Sequence, residues 1–187
     1  VSEMTDFEIN FDDVSLMRAF GVVGRDSEDK INRLVESLIQ MLEKSGVGEG
    51  DIYHQKSLYK GMKRSVVYRN LFVKGHTTNP TLMAGCTLTH MAIWLETVPG
   101  NENKAIVVSV MQSLLPALKE RNPGWRVSEE QGWIDLELVN PLAILLAAND
   151  QVAEFENYFR SALEDLREVR VFETLRDRLS LELSEQA

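Results

Sequence analysis

Cysteine is nearly missing from this chain: Cys86 is the only one in 187 residues. One thiol excludes an intramolecular disulfide, and a reducing compartment, with the cytoplasm as the working location, is the natural expectation. Long hydrophobic runs are missing too. The longest, at 142–148, is far shorter than the roughly 20 residues that a bilayer span takes, so no membrane insertion is expected. No charged-then-apolar leader opens the chain, although a start at Val1 leaves open whether one was removed. There is no Pro/Gly/Ser-rich linker, internal repeat or low-complexity tract to mark separate domains.

The sharpest absence is local. Residues 52–95 contain none of the chain's 29 acidic residues, where even scattering would place about seven. The same window holds six cations (Lys56, Lys60, Lys63, Arg64, Arg69 and Lys74), the three histidines and Cys86. With a net charge of -9 overall, everything outside the window sums to -15. Such a segment either meets its own acidic flanks or an outside partner. A content of 44% hydrophobic and 26% charged residues supports a real core and excludes disorder as the default. The acidic balance, with a pI near 4.9, argues against a protein that coats DNA, because counterion release needs positive surface. It suits the binding of basic partner segments.

What is present reads mainly as helix. Ser27 is a good N-cap, Glu28 and Asp29 suit a first turn, and Ile31, Leu34, Val35, Leu38, Ile39 and Leu42 recur at helical spacing. The spacing predicts a helix over 28–45, closed by Gly46. Gly46, Gly48 and Gly50 resemble a phosphate loop only superficially, since they follow a helix rather than a strand; a turn is expected. Residues 65–73 suit a strand with imperfect alternation. Asn79-Pro80 reads as a helix start, with Leu82, Met83, Cys86, His90, Ile93 and Trp94 on one helical stripe and Gly85 either weakening it or permitting close packing. Ile106, Val107, Val110, Met111, Leu114 and Leu118 favour a helix carrying Pro116 over a strand at 105–110 followed by a helix. Ile134, Leu136 and Leu138 alternate with Asp135 and Glu137, which makes 133–139 the best strand. A short helix is expected over 142–148, and from Asp150 the chain reads helical to about Leu183. The segment 1–13, acidic and without a cation, reads as an arm docked in part through Phe7, Ile9 and Phe11, and 16–23 is ambiguous.

The expected fold is therefore α+β: a helix-dominated single domain with a small antiparallel sheet and a long C-terminal amphipathic helix. Its core is expected over 1–149, with 150–187 as a helical segment that packs on the core or on a partner.

Few residues form a recognisable catalytic set. Cys86 and His90 are four apart on the expected helix face, but a cysteine nucleophile also needs a lowered pKa, and the stripe around them is apolar. The three histidines are widely spaced and no carboxylate lies in their window, so no metal site is expected. No H-E-x-x-H, C-x-x-C, P-loop or G-x-S-x-G pattern occurs. No catalytic residue and no cofactor is assigned. The leading expectation is a non-catalytic adaptor or chaperone-like protein whose partner is another protein, in a hetero-complex. Phe155, Phe159, Phe172 and Leu175 on the C-terminal helix are its candidate anchors, and burial of that stripe in the protein's own core is the competing outcome, favoured as far as Leu166. The alternative function is binding of a nucleic acid or phosphate ligand through the Tyr-rich stretch 56–74. There Lys60, Lys63, Arg64, Arg69 and Lys74 would meet phosphates while Tyr59 and Tyr68 stack on bases. Pairing of these cations with the protein's own acids is the expectation favoured over it.

Overall fold

In a computed structural model of the full chain, the structure describes residue 14 and residues 25–57, 64–72, 80–97, 100 and 103–185. The acidic arm and 16–23 lie outside the described residues. The fold is α+β. Among the described residues five helices, α1 (Arg25–Ser45), α2 (Lys104–Arg121), α3 (Leu142–Ala147), α4 (Gln151–Glu168) and α5 (Val171–Glu185), accompany six strands. The strands are β1 (Ile52–Ser57), β2 (Arg64–Asn70), β3 (Thr81–Thr87), β4 (His90–Thr97), β5 (Arg126–Glu130) and β6 (Trp133–Pro141). They form one antiparallel sheet in the order β1-β2-β3-β4-β6-β5. After the β1–β4 meander the chain passes through α2, lays β5 at the far edge and returns as β6 between β5 and β4.

One face of this sheet is covered by helices. Val67, Leu82, Ala84, Cys86, Met91, Ile93, Leu95, Ile134, Leu136 and Leu138 share a core with the apolar stripes of α1, α2, α3, α4 and α5. The stripe read in α1 is that of the folded protein: Ile31, Leu34, Val35, Leu38 and Leu42 are all buried. The helix begins at Arg25, which puts the expected N-cap Ser27 inside it. Gly46 and Gly48 adopt φ of 67° and 77° in the turn to β1, the left-handed conformation glycine tolerates at a helix end. Arg69 fastens this turn by donating to Gly50 O at 2.6 Å and Val47 O at 2.9 Å. Between α2 and α4, Asp165 is buried and accepts from Trp125 Nε1 at 3.0 Å and Arg121 Nε at 2.8 Å.

The expected helix beginning at Asn79-Pro80 is instead the β3–β4 hairpin. Every residue from Leu82 to Cys86 and from Met91 to Leu95 is buried, so both strand faces are filled and no alternation survives to be read. An unbroken apolar run satisfies a helical template by default. The turn has no glycine or asparagine; Thr87 Oγ1 accepts from the backbone N–H groups of Thr89 and His90. The C-terminal helix is likewise two helices. Arg170, at φ 58°, breaks the chain between α4 and α5, and the bend brings both Val171 and Leu175 into the core. The polar strands β1 and β5 gave no sequence signal.

Candidate interaction face

Strand alternation sends the other half of the side chains to the second face of the sheet. The register places Tyr53, Tyr68, Met83, Trp94, Glu137 and Arg126 opposite one another in turn, one row across all six strands. A neighbouring row is small and apolar: Val66, Gly85, Ala92 and Val139. The row on the other side is polar, with Thr81, Glu96, Asp135 and Ser128. Val66, Met83, Ala92 and Trp94 form a second buried cluster joined by Tyr68 and Val139, and all its members are strand residues. No described helix contributes to it.

The rings of Tyr53 and Tyr68 stack with centroids 5.2 Å apart, and Tyr53 remains 48% exposed. They line a hollow of about 560 Å³ together with Gln55, Arg64, Met83 and Glu96. The Arg64 guanidinium lies 5.6 Å from the centre of the Trp94 ring and 3.7 Å from Glu96. Trp94 Nε1 donates to the same carboxylate at 3.4 Å. Arg126 donates to Glu137 at 2.9 Å. One oxygen of Asp135, Oδ1, is buried without a hydrogen bond among the described residues. Burial first, then the carboxylates of Glu96, Glu137 and Glu130, push it up to about 7 against the pull of Arg64. The face is thus aromatic at its β1 end and acidic at its β6–β5 end.

The residues singled out from the sequence fall elsewhere. Phe155, Phe159 and Leu175 are wholly buried in the protein's own core, and Phe172 is half-buried against it. The two buried phenylalanine rings meet at 4.7 Å. Lys60, Lys63 and Lys74 lie outside the described residues, as do Tyr59 and His76. Arg64 faces Trp94 and Glu96, while Arg69 is committed to backbone carbonyls and Lys56 stands 3.6 Å from Glu36. Cys86 is buried on the helix-covered face, where burial pushes its thiol up to about 12. Strand alternation turns His90 to the opposite face, beside the hydroxyls of Thr87 and Thr89, so the imagined Cys86–His90 pair does not form. The reason is the strand itself, which separates residues that a helix would have aligned. The deep thiol therefore lacks both activation and access. A serine–histidine contact does exist, between Ser65 Oγ and His54 Nε2 at 3.2 Å. Ser65 donates onward to Asn32 Oδ1 at 2.6 Å and is completely buried, which makes this a tie between α1 and the sheet rather than a nucleophile. Among the described residues no three His, Cys, Asp or Glu converge as metal ligands, and no helix is long and apolar enough to cross a membrane.

The aromatic row and the opposed acids were missed because they exist only across strands. Asp135 and Glu137 are visible in the sequence as the polar side of a strand, but their neighbours depend on β6 pairing with β4. Compared with family models, curated proteins and solved structures, the chain matches none.

Proposed function

We propose that this chain is a non-catalytic adaptor or chaperone-like protein that holds an extended segment of another protein on the second face of its sheet. The observation that carries this reading is the cross-sheet row Tyr53–Tyr68–Met83–Trp94–Glu137–Arg126 on a face whose apolar cluster draws on no described helix. The stacked tyrosines, with Tyr53 exposed and Met83 buried beneath the hollow they line, offer an aromatic seat of side-chain size. Glu96, Glu130, Asp135 and Glu137 outnumber Arg64 and Arg126 on the same face, so the complementary occupant carries lysine or arginine beside its apolar anchor. This replaces the C-terminal stripe as the docking surface, because that stripe is spent on the core.

Binding of a nucleic acid or phosphate ligand through 56–74 is the other reading. The internal engagements of Lys56, Arg64 and Arg69 favour the protein partner over it.

A photoreactive phenylalanine analogue at Tyr53 tests the proposal. Extended peptides alternating lysine with apolar residues should form adducts there, and peptides with glutamate in place of lysine should form far fewer. The same group placed at Ile144, 44% exposed on α3, should label neither. Equal labelling from both positions, or none from Tyr53, would remove the second face as the docking surface.

A further inference from the structure

Across β4 and β6 the register sets Glu96 directly opposite Asp135 on the second face. Two carboxylates in direct cross-strand opposition repel each other, an arrangement sheets avoid. The groups around Asp135 sharpen the conflict. From β5 come Ser128 opposite it and Glu130 nearby; from its own strand comes Glu137; from β2 comes Arg64. Arg64 is held at Glu96 and Arg126 at Glu137, while Asp135 Oδ1 is buried without a hydrogen-bond partner among the described residues.

We propose that Glu96 and Asp135 form a proton switch on the docking face. Loss of the Asp135 proton adds one negative charge beside Glu96, so the face takes up a cationic segment more strongly as pH rises. The link to docking rests on the function proposed above; the switch itself does not. Asp135 has the surroundings of a proton holder: burial and three acidic neighbours all disfavour its anion. An unfolded aspartate releases its proton near pH 4, and folded Asp135 keeps it up to about 7. Between these values the folded state binds the extra proton, so stability from this group is complete below about pH 4 and is lost as pH rises through about 7.

Carboxyl-carbon NMR of the whole protein, followed with pH, reads the switch without any partner. The Asp135 resonance should titrate near pH 7, and Glu96→Gln should move that midpoint down. A midpoint near 4 in the wild type, or one that Glu96→Gln leaves in place, overturns the proposal. As a second readout, the urea midpoint of the wild type should fall between pH 5 and pH 8, and that of Asp135→Asn should stay flatter. Identical slopes for the two proteins also overturn it. Adduct formation at Tyr53 with the lysine-bearing peptides, compared at pH 6 and pH 8, then reads docking separately. Absence of adducts at both values, with an Asp135 midpoint near 7, removes the docking reading and leaves the switch standing.

Discussion

Gly85 shows how much one residue's missing side chain can decide. A Cβ built on it lies 2.2 Å from Ser65 O and 2.7 Å from Val66 Cα. Both obstacles are backbone, so relief requires β2 and β3 to separate. Gly85→Ala should therefore destabilise the protein by at least about 2 kcal/mol, in the upper range of overpacking costs. Urea denaturation at constant slope measures this; an unchanged midpoint would mean that the two strands part without cost. The sequence marks this glycine as either a weak point in a helix or a place of close packing, and the second reading holds, although the close approach is between strands. Cys86, one residue on, illustrates the opposite limit. Its chemistry was legible as a question, and only its depth under the helices answers it.

At the scale of elements, legibility follows amphipathicity. Helices α1 and α2 and strand β6 each present one apolar side, and each was readable near its true bounds; α3, apolar throughout, was readable as a short helix. The β3–β4 hairpin was not, because apolar neighbours fill both of its faces; nor was β5, whose sequence Arg-Val-Ser-Glu-Glu has almost no apolar side to reveal. The candidate face needed both of these elements and the β4–β6 pairing, which skips a strand in sequence order, so no local pattern points to it. The α4–α5 junction hid for a related reason: apolar residues continue at helical spacing through it while the backbone turns. Arg170 takes φ 58° there, a conformation that costs most residues about 1 kcal/mol and glycine little. Arg170→Gly should leave the fold intact and keep stability equal or raise it by up to about 1 kcal/mol, whereas Arg170→Val should lower it. Thermal melts of the two variants check this, and a clear loss with glycine would show that the arginine side chain, rather than the backbone, holds the bend.

For the whole molecule the division of charge along the chain becomes a division across the sheet. The acid-free window builds β1 to β4 almost entirely, and Glu96 is its first acid thereafter; β5 and β6 supply Glu129, Glu130, Asp135 and Glu137. Of the window's cations, the three among the described residues, Lys56, Arg64 and Arg69, meet acids or carbonyls of the same chain. At the same scale, residues of 150–187 share the sheet's core. Phe155, Phe159, Ala162, Leu163, Leu166, Val171 and Leu175 belong to one cluster with the sheet and α1. Burying a large apolar side chain contributes about 1.5–3 kcal/mol, so the six large members of this set together contribute about 9–18 kcal/mol, as much as the 5–15 kcal/mol that holds a typical domain together. A chain ended after Asn149 should therefore lose its cooperative urea transition and its near-ultraviolet circular dichroism rather than persist as a smaller domain. If the shortened chain instead unfolds with a sharp transition, then 1–149 folds alone, α4 and α5 are an appendage to it, and their phenylalanines return as candidate anchors for a partner.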